Sequence, residues 1–223
     1  MKKINYLLIS LLLFSGYSCK GQAPAKLEIP SIGKEITWVH TPLSWNFKDG
    51  SLTLTGGKGS RLFVDPQGES RADSAPMALF QPDSTFLFSC KMKVDFKAVF
   101  DAGVLVIYAD STQWAKFCFE LSPDHEKMMV TVCNNQFSDD NNHIVTESDE
   151  MYMRIAGLGG GAYAFHYSTD GKYWHMARYF YLNPEYDYKI GFLSQAPRGE
   201  SFTTVFSDIQ YSTKKLGNIR NGE

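Results

Sequence analysis

Asp101-Ala-Gly-Val-Leu-Val-Ile-Tyr108, the turn Ala109-Asp-Ser-Thr-Gln113 and then Trp114-Ala-Lys-Phe-Cys-Phe-Glu120-Leu121 form the stretch that decides the fold. Val104 to Tyr108 is apolar at successive positions, the pattern of a strand buried between two layers. After the turn the pattern alternates. Trp114, Lys116, Cys118 and Glu120 share one face, and Ala115, Phe117, Phe119 and Leu121 share the other, because successive side chains of a strand point to opposite sides. The second face reads as core. The first carries an aromatic ring, a cation and a carboxylate in a row.

Outward from this pair the chain continues as short alternating runs bounded by turn residues, and helical periodicity is almost absent. Asp49-Gly50 and Asp170-Gly171 each separate two candidate strands and predict two-residue type I′ hairpins. Further strands are expected near residues 35–40, 61–65, 84–95, 102–110, 113–121, 127–134, 150–156, 187–194 and 201–211. Roughly a dozen strands at regular spacing predict an all-β sandwich of two antiparallel sheets. Aromatic residues make up 14% of the chain, which suits pleated surfaces. With 43% hydrophobic and 21% charged residues, composition excludes disorder over most of the chain. A formal net charge of −2 gives no electrostatic reason to bind nucleic acid.

Residues 1–18 read as a secretory signal peptide. Lys2 and Lys3 precede an apolar run from Tyr6 to Phe14, too short to span the ~30 Å hydrocarbon core of a bilayer. Gly16-Tyr-Ser-Cys19 resembles a loose bacterial lipobox. Cys19 is the expected lipid attachment point, residues 19–34 a tether, residues 35–213 the sandwich and residues 214–223 a tail. The expected location is extracytoplasmic, at a membrane in the periplasm or cell envelope. Cys90, Cys118 and Cys133 read as small buried hydrophobes, with a Cys118–Cys133 bridge as the alternative.

Asp101 to Asp110 followed by Trp114 to Glu120 resembles the central signature of the domain of unknown function 1349 family, also called regulation of enolase protein. The flanks agree: Trp38-Val-His-Thr-Pro42, Arg154-Ile155, Tyr167-Ser-Thr-Asp-Gly-Lys-Tyr-Trp174 and Phe206-Ser-Asp-Ile209. The resemblance covers residues 35–211 and implies a concanavalin A-like jelly-roll sandwich. One departure stands out. Where the family often has Ser-Asp-Trp, Ser138-Asp139 is followed here by Asp140.

The chemistry offered by the sequence is sparse. The five histidines never fall at metal-ligand spacing, and neither a nucleophile elbow nor a phosphate loop occurs. Gly157-Leu-Gly-Gly-Gly161 reads as a flexible connection. Ser138 to Asn142 is oxygen-rich and reads as a solvated turn, with a calcium site as the alternative. Glu147-Ser-Asp-Glu150 lacks the final glutamate of a glucanase motif. What remains is Trp114, Lys116 and Glu120, an indole for stacking on a pyranose and charges for its hydroxyls. Tyr108 and Asp139, at strand ends nearby, are added to this expected site. The expected function is therefore a non-catalytic carbohydrate-binding module without a cofactor, engaging an oligosaccharide or polysaccharide. Two rivals stay open: a glycoside hydrolase with carboxylates from separate strands, Glu120 among them, and a structural or protein-interaction sandwich.

Overall fold

The computed structural model describes residues 26–223, so signal cleavage and lipidation of Cys19 fall outside the described residues. Two seven-stranded antiparallel sheets face one another. The first runs in the order β1 (Ile36–Val39), β6 (Met77–Phe80), β15 (Lys189–Gln195), β8 (Ala102–Asp110), β9 (Gln113–Leu121), β10 (Lys127–Asn135), β11 (Phe137–Val145). The second runs β14 (His175–Tyr181), β13 (Ala162–Ser168), β12 (Glu150–Gly159), β7 (Phe86–Lys93), β16 (Ser201–Ser212), β3 (Ser51–Gly57), β2 (Ser44–Lys48). A two-stranded hairpin, β4 (Leu62–Val64) with β5 (Arg71–Asp73), stands apart from both. The all-β sandwich expected from the alternation is what forms.

Rings from opposite sheets fill the space between them. Phe117 of β9 stacks on Phe165 of β13 at 5.2 Å, and Phe192 of β15 meets Phe88 of β7 edge-on at 5.1 Å. Such contacts add to the area each ring buries. The packed body begins before residue 35, because Leu27, Ile29 and Ile32 belong to the same core. Residues 26–34 are therefore sandwich rather than tether. All three cysteines in the described region are free. Cys118 packs on the outer side of the first sheet while Cys133 packs against the inner core, so the pleat excludes a bridge between them.

The two Asp-Gly pairs part company. Asp49 and Gly50 both have positive φ, 50° and 76°, and join β2 to β3 as a type I′ turn requires. Between β13 and β14 only Gly171 is left-handed, and the loop runs over residues 169–174. There Asp170 Oδ1 accepts from Ser168 Oγ and from the backbone N–H groups of Lys172 and Tyr173. The local side-chain bonds make a longer loop, not a two-residue hairpin. Ser138 to Asn142, expected as a turn, lies inside β11. Its polarity is that of an edge strand open to water.

The outer face of the first sheet is unusually apolar. Met77, Val104, Val106, Trp114, Cys118 and Val130 pack there with Leu62 and Val64 of the hairpin, forming a second core. The double-sided apolar run of β8 serves these two layers.

Candidate functional site

The hairpin is a roof, held over the first sheet by three contacts. Ser138 Oγ of β11 accepts from Val64 N at 3.0 Å. The Tyr108 hydroxyl of β8 donates to Asp73 Oδ2 at 2.7 Å. Arg71 lies over the Phe137 ring at 5.4 Å. The apolar second core fills one end beneath this roof. Towards the other end the packing opens into a cleft of about 400 Å³, within the ~300–1,000 Å³ typical of small-molecule sites.

The cleft floor comes from the outer face of the first sheet. Lys116 of β9 pairs in register with Val132 of β10, and Val132 with Asp140 of β11. These three positions form a row across the strands. Glu120 follows Lys116 by four residues on the same face, flanked in register by Ala102 and Met128. Val130 and Val132 supply an apolar strip between the charges. The roof contributes Arg61, Phe63, Asp65 and Ser70, and one wall contributes Phe100, Gln195 and Arg198.

Lys116 is 3% exposed, yet among the described residues it has no ion-pair partner within 4 Å. Its ammonium instead sits 5.8 Å from the Phe63 ring centroid and 5.9 Å from that of Trp114. The Glu120 and Asp140 carboxyls act on this cation through space, and the two ring faces add to its hold. Burial pushes the Glu120 carboxyl up to about 7, with the Lys116 charge pulling it down and Asp140 adding to the rise. The Asp140 carboxyl is also raised, first by desolvation and against the pull of Lys116. Gln195 is 2% exposed and donates Nε2–H to Phe100 O at 3.2 Å, but its Oε1 has no partner. Phe100 itself has φ +67°, a left-handed conformation costly for a bulky residue. The unpaired Gln195 Oε1, the buried Lys116 ammonium and the strained Phe100 backbone meet in one place.

The expected site residues divide. Lys116 and Glu120 line the cleft. Trp114 is fully buried in the second core, its indole donating to Ser111 O at 3.4 Å, and presents no open face to a ligand. Tyr108 lies outside the cleft lining and pins the roof. Asp139 points the other way, pairing with Arg178 of β14 at 2.7 Å and so tying the edges of the two sheets together. Its neighbour Asp140 takes the cleft position, since one step along a strand reverses the side chain. Asp101 and Asp110 serve local turns, accepting from Lys97 and Ala98 N–H and from Thr112 N–H respectively. Arg61, Phe63, Asp65, Gln195 and Arg198 arrive from distant segments, and no sequence spacing connects them to Lys116.

Fold and site together define a β-sandwich with a roofed, charged cleft on the outer face of one sheet. The chain belongs to the DUF1349 family, a family of unknown function, whose model matches residues 38–214. No curated protein matches the sequence. A functionally unknown protein from Saccharomyces cerevisiae shares the fold with TM-score 0.74 at 20% identity, over 86% of this chain and 100% of that one. The GH43 protein BlXynB from Bacillus licheniformis matches with TM-score 0.63 at 16% identity over 80% of this chain. The Bacteroides ovatus xyloglucan PUL GH43B matches with TM-score 0.62 at 16% identity over 81%. This chain spans only 37% and 36% of those two proteins, and at such identities the likeness is one of fold.

Proposed function

We propose that this protein is a carbohydrate-binding module whose site is the cleft beneath the β4–β5 hairpin. The observation that carries the reading is the floor: Lys116 and Glu120, which form no ion pair within 4 Å among the described residues, stand in the cleft beside the orphan Gln195 Oε1. Such groups recover hydrogen bonds from the hydroxyls of a polyol, while Val130, Val132 and Phe63 offer apolar surface to a sugar ring. The volume suits a short saccharide rather than a long polymer. The aromatic contact is thereby assigned to Phe63, not Trp114. Calorimetric titration with a panel of mono- and oligosaccharides tests this. Removing a hydrogen bond from a charged group costs about 1.5–3 kcal/mol, so Lys116→Met should weaken affinity roughly tenfold to a hundredfold. No binding across the panel, or unchanged affinity in the variant, contradicts the reading.

One observation favours a hydrolase as second reading. Glu120 is held near neutral pH by burial, and a second carboxyl, Asp140, reaches the same cleft from another strand. A raised carboxyl acting as proton donor beside a second carboxylate is the pairing that glycosidic cleavage needs. Turnover of a glycan that vanishes in Glu120→Gln would establish it.

The address belongs to the proposal as well. The charged start, the short apolar run and Cys19 support export and lipid anchoring outside the cytoplasm. Metabolic labelling with palmitate that is lost in Cys19→Ser tests that step.

A further inference from the structure

On the outer face of the second sheet, far from the cleft in topology, lies a polar cluster that the carbohydrate reading does not use. Arg154 of β12 and His166 of β13 are register partners. Arg154 is 6% exposed and His166 fully buried. Both are covered by residues 217–223, which fold back through bonds from Gly222 N to Asn218 O and from Asn218 N to Glu223 O. The His166 Nε2–H donates to Ile219 O at 2.8 Å, and Arg154 Nη2 donates to Gly222 O at 2.8 Å. The guanidinium lies 4.0 Å from the Trp174 ring centroid.

The cluster is incompletely satisfied. No carboxylate lies within 4 Å of Arg154 among the described residues. Arg154 Nε and His166 Nδ1 are buried without partners among the described residues. Removing a guanidinium from water without an opposite charge is costly, and such groups are normally paired. The Nε and Nη2 protons form the side-on fork that donates in parallel to both oxygens of a carboxylate. Here Nη2 meets a single carbonyl oxygen and Nε meets no acceptor among the described residues.

We infer that Arg154, His166 and Trp174 form a latent carboxylate-binding site, occupied in cis by residues 217–223. The Gly222 carbonyl stands in for one carboxylate oxygen and leaves Nε–H for the other. A carboxylate ligand competes with the segment, whose closure lowers the apparent affinity by the fraction of time the site is open. The closure rests on a glycine. Gly222 has φ +70°, and a Cβ there would come within 1.9 Å of Arg154 Nη2 and 2.8 Å of Trp174 Cβ. A branched side chain at 222 therefore drives the segment and the guanidinium apart and breaks the Gly222 O contact.

The full chain and its Gly222→Val variant are titrated with glucuronate and with acetylglycine, against glucose and acetylglycinamide as neutral counterparts. The readouts are the ¹⁵N signal of the Arg154 Nε–H and hydrogen exchange at Gly222 N. In the wild-type chain, excess carboxylate should shift the Nε–H signal and speed exchange at Gly222, while the neutral compounds do neither. Gly222→Val should bind carboxylates about tenfold tighter or more, and adding Arg154→Lys, which keeps the charge but removes the fork, should abolish that gain. The better of the two carboxylates tells a sugar acid from a peptide terminus. An Nε–H signal unmoved by carboxylate in the wild-type chain, or a gain that survives Arg154→Lys, overturns the inference. That wild-type measurement decides the matter even if the variant fails to fold.

Discussion

At the residue scale, three side chains show how burial decides role. Trp114 is fully enclosed in the second core, so Trp114→Ala should cost about 3–5 kcal/mol of stability. Chemical denaturation measures that, and saccharide affinity of the folded variant should stay near that of the parent. Glu120 is protonated more readily in the folded chain than in the unfolded one, its carboxyl standing at about 7 against an ordinary 4.5. Its contribution is therefore fully present below the unfolded value and is lost as pH rises to about 7, by at most about 3 kcal/mol. His166 runs the opposite way. Burial lowers it to about 4, so its contribution is lost as pH falls from about 6.5 towards 4. A difference measurement separates the two. The gap in unfolding free energy between Glu120→Gln and wild type should widen in favour of the variant between pH 4.5 and 7.5, and a flat difference would contradict the assignment.

At the scale of elements, the hairpin turns an ordinary sheet face into a cleft. If Tyr108 anchors the roof through Asp73, Tyr108→Phe should lose about 1.5 kcal/mol and raise amide exchange across residues 62–73, with the central β8–β9 amides unchanged. Unaltered exchange in the hairpin would remove Tyr108 from that role. How much of this was legible follows from the range of each signal. The alternation in β9 placed Trp114, Lys116 and Glu120 on one face correctly, because a two-residue period is a local property. Whether that face meets water or another layer depends on Leu62 and Val64 of a distant segment, so the burial of Trp114 has no local signature. Asp139 enters the expected site only as a neighbour at a strand end, and β11 has no apolar alternation to show that Asp140 faces the cleft instead. Its residues 138–142 look like a turn when read alone. Arg61, Gln195 and Arg198 reach the cleft only through tertiary folding, which leaves no trace in spacing.

At the scale of the whole molecule, the sandwich carries two polar features on opposite outer faces. One is the open cleft on the first sheet, and the other the Arg154 cluster closed by residues 217–223 on the second. Their separation across the core means that changes at one should leave the other unaltered, since sites without shared partners behave additively. The Asp139–Arg178 pair joins the sheet edges between them, but Asp139 is solvent-exposed. Asp139→Asn should therefore change stability by under about 1 kcal/mol and leave saccharide affinity intact, in contrast to Asp140→Asn. Ligand is expected to bind in the roofed cleft. Backbone amide shifts of the labelled protein, followed during titration with the best saccharide of the panel, test it most directly. Shifts are expected to be confined to the hairpin at residues 61–70, to Lys116–Glu120, to Val130–Val132 and to Gln195–Arg198. Shifts gathered instead on the exposed tyrosines of β14, with the cleft silent, would contradict it.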